Sequence, residues 1–90
     1  MRNNYITYVL QSNSDNNFYV GYTKNLKQRL DEHNNGKVKS TSTRRPFEVV
    51  YYEVCYNKKD ALHREKYLKS SYGKRYIKNR LKYYLTGFTP

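Results

Sequence analysis

Ninety residues with a formal net charge of +11 make one small domain and leave no room for a second. Eighteen Lys and Arg against seven Asp and Glu favour a polyanionic partner, and nucleic acid fits better than a membrane because no long apolar run accompanies the charge. Simple solubility is the alternative explanation. Only 37% of the residues are apolar and twelve are tyrosine, so rings that keep a polar hydroxyl group must build much of a small core.

The N-terminal segment and the single cysteine both indicate a reducing compartment. "MRNNYITYVL" lacks the long apolar core and the small-residue cleavage site of a signal peptide. Cys55 cannot form an internal disulfide and has no partners at zinc-ligand spacing, so we expect a small buried side chain. The sequence therefore predicts a cytoplasmic protein.

The first two predicted elements are the strands of a β-hairpin. Residues 5–12, "YITYVLQS", are β-branched and aromatic, which is typical of a strand. Residues 13–17, "NSDNN", predict a turn, and "FYVGY" at 18–22 resumes the extended chain. The short connection makes the two strands neighbours in a sheet.

The next element is a helix from about residue 24 to residue 34. Thr23 is expected to cap it, because a threonine hydroxyl group can accept one of the first unpaired N–H groups. Leu26 and Leu30 define its buried stripe at a spacing of four residues. Arg29 and His33 lie on or beside that stripe. Because a charged or polar side chain is seldom buried, both positions need an explanation.

The middle of the chain predicts a loop and a third strand. Gly36 is expected to end the helix in a left-handed conformation. Residues 37–45, "KVKSTSTRR", are polar and basic and predict a surface loop. The third strand is expected over residues 46–56, with Pro46 at a first position that needs no ladder donor.

Two further helices complete the predicted order of elements. Asn57 is expected to begin the first, with Asp60 in the style of a capping box, and Gly73 to separate it from the second. The last helix, residues 74–85, carries an apolar stripe at Ile77, Leu81 and Leu85. Three strands with helices packed on them predict an α/β or α+β domain.

A carboxylate interrupts the apolar face of the helix that begins at Asn57. The expected buried stripe has four members: Ala61, Leu62, Leu68 and Tyr72. Glu65 falls in its middle, and a buried carboxylate needs a cation, a metal ion or water as its partner. A structural ion pair with Arg29 explains this position as well as a functional role does.

Five residues together match the needs of phosphodiester cleavage. Arg29 and His33 come from one helix, Glu65 from another, and Tyr8 and Tyr19 from the two hairpin strands. Hydrolysis needs a base for the attacking water, a cation near the developing negative charge and assistance for the leaving oxygen. A lone strand tyrosine is more often a core residue, so the prediction depends on the combination.

These residues also resemble a known family. "FYVGYTKNLKQRLDEH" is similar to the second half of the GIY-YIG nuclease signature, with Tyr19-Val20-Gly21 as the YIG element. Arg29 and His33 follow the glycine by eight and twelve residues, as that signature requires. "RRPFEVVYYE" looks typical of the small standalone bacterial members, which are similar to the nuclease domain of the repair protein UvrC. The resemblance covers nearly the whole chain.

The remaining motifs match with departures. Ile6-Thr7-Tyr8 stands where the GIY element would be, so the glycine and isoleucine are replaced and the tyrosine is kept. "DALHREKYLK" is similar to the later segment that carries the acidic metal ligand of the family, here Glu65. The family usually has an asparagine after that helix, and Asn79 is the match, although it lies off the apolar stripe of the last helix.

The resemblance implies a three-stranded antiparallel sheet flanked by three helices, and a DNA endonuclease of repair, recombination or DNA processing. It implies one divalent ion, Mg²⁺ or Mn²⁺, which Glu65 would hold at the scissile phosphate, while Arg29 would stabilise charge there. Tyr19 would activate the attacking water, with Tyr8 hydrogen-bonded nearby, and His33 would orient a tyrosine or share the base role. A tyrosine with an ordinary pKa of about 10 needs the ion or nearby cations for this task.

Basic residues outside this set predict contacts with the DNA backbone. Residues 58–82 hold ten Lys and Arg against two acids, and residues 37–45 add four with none. The expected contacts are Lys24, Lys39, Arg44, Arg45, Lys69 and Lys74. A solvated helix face is the alternative for the charges, and a non-catalytic nucleic-acid-binding domain or an RNA-binding accessory protein is the alternative function. The structure of the DNA substrate and a targeting protein partner stay open.

Overall fold

The computed structural model describes residues 3–87 and contains a three-stranded antiparallel sheet with helices on both faces. The central strand is β1 (Tyr5–Ser12), with β2 (Phe18–Thr23) on one side and β3 (Phe47–Cys55) on the other. Both neighbours run antiparallel to β1, and the pair of β1 and β2 is the predicted hairpin. The predicted α+β class with an antiparallel sheet is confirmed.

Four α-helices and one 3-10 helix complete the part of the chain that the structure describes. The α-helices are α1 (Leu26–Asn34), α2 (Lys58–Lys69), α3 (Ser71–Arg80) and α4 (Lys82–Thr86), and the 3-10 helix is Lys39–Arg44. The last helix was predicted as one element, but Leu81, at φ −107° and ψ 20°, departs from helical geometry and divides it into α3 and α4. Between residues 3 and 87, no helix is long and apolar enough to cross a membrane.

The central strand β1 is buried on both faces of the sheet. Side chains alternate along a strand, so Tyr8 and Leu10 face α1, while Val9 between them faces α2 and α3. The α1 side also contains Phe47 and the half-buried Leu26 and Leu30, and the other side contains Leu68 and Ile77. This double burial explains why residues 7–10 are all buried.

The cap of α1 is Asn25, and the prediction of Thr23 was wrong. The Asn25 side chain accepts the N–H of Gln28 at 3.0 Å. Thr23 is the last residue of β2, paired with Ile6 across the sheet, and its hydroxyl oxygen accepts the N–H of Asn25 at 3.1 Å. Thr23 cannot cap the helix because it is still part of the strand, and it instead shapes the turn before the cap.

The prediction that Gly73 separates the two helices was also wrong, because Gly73 lies inside α3. Ser70 caps α3 and accepts the N–H of Gly73 at 3.2 Å. A Cβ atom at position 73 would overlap the backbone of α2 at Tyr67 and Leu68. Glycine therefore permits close packing of α3 against the end of α2. Asn57 caps α2 as predicted, and its side chain accepts the N–H of Lys59 at 2.8 Å.

Residues 37–45 are not the simple surface loop that the sequence predicts. Gly36 has the expected left-handed conformation, with φ of 76°. After it the chain forms the 3-10 helix, and Thr41 points inward with no exposed surface. The Ser12 hydroxyl group donates to the carbonyl oxygen of Arg44 at 2.6 Å, which ties the segment to β1. Pro46 precedes β3, which begins at Phe47.

Candidate active site

Tyr8 lies at the centre of the sheet, directly opposite Gly21 in the pair of β1 and β2. Its ring crosses above Gly21, and a Cβ atom at that position would overlap the Tyr8 hydroxyl group. Only 1% of Tyr8 is exposed. The glycine of the YIG element therefore provides the space in which the Tyr8 hydroxyl group lies.

His33, in the last turn of α1, is fully buried between Tyr8 and the 3-10 helix. Its Nε2 atom lies 2.9 Å from the Tyr8 hydroxyl oxygen, and its Nδ1 atom lies 2.8 Å from the Thr41 hydroxyl oxygen. The Tyr19 ring packs edge-on against the imidazole, with 5.0 Å between ring centres and 64° between the ring planes. Both ring nitrogens of a buried histidine thus have partners, which fixes the orientation of the ring.

Thr41 is a site residue that the sequence did not reveal. No spacing distinguishes it from the other Ser and Thr residues of its segment, and only the folded chain brings it to His33. The Thr41 hydroxyl group donates to the carbonyl oxygen of Val38 at 3.3 Å. One tautomer of His33 satisfies the bonds to Tyr8 and Thr41 together with the bond from Thr41 to Val38. In this tautomer the proton is on Nδ1, so Nδ1–H donates to the Thr41 hydroxyl oxygen and Nε2 accepts from the Tyr8 hydroxyl group.

Burial sets the protonation states of His33 and Tyr8. Burial lowers the pKa of His33 below its ordinary value of 6.5, the charge of Arg29 lowers it further, and Glu32 opposes the change. Burial raises the pKa of the Tyr8 hydroxyl group above 10.0, the adjacent Arg29 guanidinium opposes it, and Tyr19 and Glu65 raise it further. At neutral pH the histidine is uncharged and Tyr8 is protonated.

Arg29 lies at the border between this buried group and solvent. Its Nη1 atom is 2.9 Å from the Glu32 carboxylate, and about a third of its side chain (35%) is exposed. The hydrogen bond with Glu32 raises the pKa of Arg29, and a second one with Tyr8 adds to this. A guanidinium group in this position can reach an anion from solvent and still act on Tyr8.

Tyr19 packs with Tyr8 on the α1 face of the sheet, and their ring centres lie 6.5 Å apart. A cavity of about 240 Å³ lies on the other face, between β2 and the helices α2 and α3, where Phe18, Lys69 and Lys74 line it and β2 contributes Tyr19 to its wall. Tyr8 has almost no exposed surface, whereas Tyr19 is half-buried on the edge strand β2, so Tyr19 is the more accessible tyrosine of this pair.

Glu65 does not pair with Arg29, so the structural alternative of an ion pair between them does not explain its position. The Glu65 carboxylate lies 3.2 Å from the Lys69 ammonium group, and 21% of its side chain is exposed. Of the expected stripe, Ala61 and Leu68 are buried, but Leu62 is 39% and Tyr72 67% exposed. The buried face of α2 is narrower than the sequence suggested, so Glu65 lies at its edge.

The described residues contain no group of three or more His, Cys, Asp or Glu side chains that could hold a metal ion by themselves. Glu65 offers a single carboxylate that reaches solvent and acts on Tyr8. Such a donor suits Mg²⁺, which keeps several waters and takes phosphate oxygens from its substrate. Glu65 thus fits a metal that binds together with a phosphate group.

The structure brings Tyr8, Tyr19, Arg29 and His33 together, and the negative charge of Glu65 acts on Tyr8 from α2 and raises its pKa. It does not bring Asn79 to them. Asn79 is exposed on α3, and in the described range it makes no hydrogen bond with any of these residues. Ile77 of α3 faces the core, and a residue two positions later points to another side of the helix.

The six predicted DNA contacts differ in their surroundings. Lys24, Lys39, Arg45 and Lys74 are exposed. Arg44 forms an ion pair with Asp15 at 2.8 Å, and Lys69 forms the ion pair with Glu65. The Arg44 guanidinium holds the pKa of Asp15 at about 2. Lys69 and Lys74 line the cavity beside β2, whereas Arg45 lies against Gly36.

Comparison with known proteins defines the family. The model of the GIY-YIG catalytic domain matches residues 4–82. The UPF0213 protein YazA of Bacillus subtilis is 41% identical over 68 residues, which cover 74% of this chain and 68% of that protein. A UPF0213 protein from the ldhD 5' region of Pediococcus acidilactici is 40% identical over 83 residues, or 86% of this chain and 84% of that protein.

A solved structure agrees with the sequence matches. The solution NMR structure of a UPF0213 protein from Bacillus halodurans is 31% identical, covers 82% of this chain and 81% of that one, and superimposes with a TM-score of 0.52. The chain therefore belongs to the GIY-YIG family. The relatives are small standalone bacterial proteins, as the resemblance implied. Nucleases of this family generally use divalent metal ions.

Proposed function

We propose that the protein is a metal-dependent endonuclease that hydrolyses phosphodiester bonds of DNA. The observation that carries this proposal is the bond of 2.9 Å between Tyr8 and buried His33, beside Arg29 and the YIG tyrosine. A histidine with only a structural role in the core would not need Arg29 beside it or the Glu65 charge acting on Tyr8. The net charge of +11 suits a polyanionic substrate.

Tyr19, acting as a phenolate, is the proposed acceptor of the proton from the attacking water. It is half-buried on the edge strand β2, whereas the Tyr8 hydroxyl group is buried and already donates to His33. The water oxygen forms a bond to phosphorus, the bond from phosphorus to the leaving oxygen breaks, and that oxygen takes a proton from solvent. Arg29 stabilises the negative charge on the phosphate during this exchange.

Glu65 is the proposed ligand of the metal. Mg²⁺ or Mn²⁺, when bound, supplies positive charge at the scissile phosphate. The Lys69 ammonium group lies 3.2 Å from one oxygen of this carboxylate and would compete with the ion for it. Displaced by the ion, Lys69 would be able to contact a neighbouring phosphate of the same DNA strand.

The first prediction concerns Glu65→Gln. We expect metal-dependent cleavage of labelled single-stranded, flapped or duplex DNA to fall at least about 100-fold, because the amide is a poor ligand and carries no charge. Asp31→Asn is the matched control, since Asp31 is exposed on α1 and the charge change is the same. Its cleavage rate should equal that of the wild type.

A non-catalytic nucleic-acid-binding protein is the second candidate, and the ion pair of Glu65 with Lys69 favours it. On this interpretation Glu65 serves only to hold Lys69. DNA binding by the wild type without any product, in Mg²⁺ and in Mn²⁺, would contradict the endonuclease. Product from Glu65→Gln at the wild-type rate would contradict the proposed role of Glu65.

A further inference from the structure

Three adjoining cavities run along one side of β2. The first, of about 240 Å³, contains Tyr19 and is also lined by Phe18 and Lys74. The second, of about 480 Å³, shares Phe18 and Lys74 and adds Arg44 and Lys78. The third, of about 390 Å³, shares Phe18 and Lys78 and adds Lys82. Because neighbouring cavities share walls, they form one groove, here called the β2 groove.

The β2 groove begins beside Glu65, the proposed metal ligand. Lys69, the partner of Glu65, lines its first cavity, which lies on the α2 and α3 face of the sheet. Its far end lies at the hairpin turn and α4, where Asn16 and Leu85 line the third cavity. A DNA strand with a phosphate at Glu65 can therefore continue along the groove.

Three lysines give the groove an uncompensated positive charge. Residues 71–86 contain five Lys and Arg and no Asp or Glu. Lys74 and Lys78 lie four residues apart on α3, about 6 Å along the helix axis, and Lys82 is the first residue of α4. None of the three forms an ion pair with a carboxylate of residues 3–87, whereas Arg44 and Lys69 do. Lys82 also lies over the Tyr83 ring, 5.2 Å from its centre. This row of cations without carboxylate partners fits a row of phosphates.

Phe18 is an aromatic side chain in the wall of the β2 groove. It is half-buried, lines all three cavities and packs against the core residues Val9, Leu68 and Ile77. An aromatic ring held rigidly between lysines can stack on a base that has left its partner. A duplex keeps its bases inside and would use only the lysines. The groove therefore favours a single strand.

We propose that the β2 groove binds a single-stranded segment of the DNA that continues from the scissile phosphate. The lysines contact its phosphates, and Phe18 stacks on one of its bases. This inference rests on the proposed function for the location of the scissile phosphate. It concerns binding, and binding can be measured when no cleavage occurs.

The test is equilibrium binding of a fluorescently labelled oligothymidylate in EDTA, at several salt concentrations. A variant with K74Q, K78Q and K82Q together should bind at least tenfold more weakly. A plot of its log K against log salt should be less steep by about 2, since each phosphate contact in a single strand contributes about 0.7 to the magnitude of the slope. A variant with K58Q, K59Q and K66Q loses the same charge from exposed positions of α2 and should keep the wild-type slope.

Equal losses of affinity in the two triple variants would overturn the proposed binding in the β2 groove, because they would show only a general attraction between DNA and a positively charged protein. Phe18→Leu, which keeps an apolar core side chain, should weaken single-strand binding about tenfold and leave binding of a matched duplex within twofold. Equal weakening of both DNA forms, or tighter binding of the matching RNA, would overturn the assignment. Circular dichroism melts verify that each variant folds. Since no metal is present, failure of the proposed cleavage cannot produce any of these outcomes.

Discussion

At the scale of single residues, His33 shows how a polar side chain is accommodated in a core. Its two nitrogens have hydroxyl partners in Tyr8 and Thr41, so no buried ring nitrogen lacks a hydrogen bond. The site gains a tyrosine whose hydroxyl group has a fixed direction. Charging the imidazole would place a cation in a dry environment beside Arg29, and this makes the fold sensitive to acid.

The folded protein should lose stability as the pH falls below about 6.5. The pKa of His33 is lower when folded than when unfolded, so the unfolded chain binds the proton first. The contribution is fully present above pH 6.5 and is lost as the pH falls towards the folded pKa, by up to about 1.4 kcal/mol per pH unit. Urea denaturation between pH 7.5 and 5 measures it.

The His33→Gln variant should show a flatter dependence of unfolding free energy on pH than the wild type. His63→Gln removes a histidine that is exposed on α2, and its pH dependence should follow the wild type. Parallel curves for wild type and His33→Gln would mean that His33 does not titrate differently in the two states. The flattening is the informative quantity, because His33→Gln also lowers the absolute stability.

At the scale of secondary-structure elements, the close approach of α3 to α2 depends on Gly73, which has no side chain. Gly73 lies inside α3, where the helix propensity of glycine is about 1 kcal/mol poorer than that of alanine. The backbone of α2 at Tyr67 and Leu68 occupies the space that a methyl group would need. The close contact of the two helices is thus retained at the expense of local propensity.

Gly73→Ala should therefore destabilise the protein by about 1–3 kcal/mol, although propensity by itself predicts stabilisation. Asn79→Ala is the control on the same helix, because Asn79 is exposed, and it should stay within about 0.5 kcal/mol of the wild type. Urea denaturation measures both. A stabilised Gly73→Ala variant would mean that α3 can move away from α2 without loss.

At the scale of the whole molecule, β1 joins two core clusters that lie on opposite faces of the sheet. Leu10 belongs to the cluster under α1, and its neighbour Val9 belongs to the cluster under α2 and α3. The candidate active site draws on both sides, since Arg29 and His33 come from α1 and Glu65 from α2. A substitution that destabilises the cluster on one face should therefore also destabilise the cluster on the other face, because both pack against β1.

Leu10→Ala should lower the unfolding free energy by about 2–5 kcal/mol in a single transition, because both clusters depend on β1. The m-value should stay that of the wild type, since the same surface is exposed on unfolding. Tyrosine fluorescence reports the many rings and far-UV circular dichroism reports the helices. Different midpoints for the two signals would show that the two faces unfold separately.

The sequence by itself predicted those features that depend only on residues close together along the chain. The β-branched and aromatic residues of "YITYVLQS" predicted β1, Asn57 predicted the start of α2, and Gly36 predicted the left-handed end of α1. The spacing from Gly21 to Arg29 and His33 indicated the family, because that spacing sets which side of α1 faces the sheet. These features are short-range, and the chain adopts them with few alternatives.

Only the tertiary structure decided the features that depend on distant segments. Thr41 becomes a partner of His33 because the segment after Gly36 folds back onto α1. Glu65 lies at the edge of the buried face of α2 because packing leaves Leu62 and Tyr72 exposed. The β2 groove exists because α3 packs beside β2 and brings Lys74 to Phe18. Sequence spacing describes one element, whereas packing determines which elements meet and at what distance.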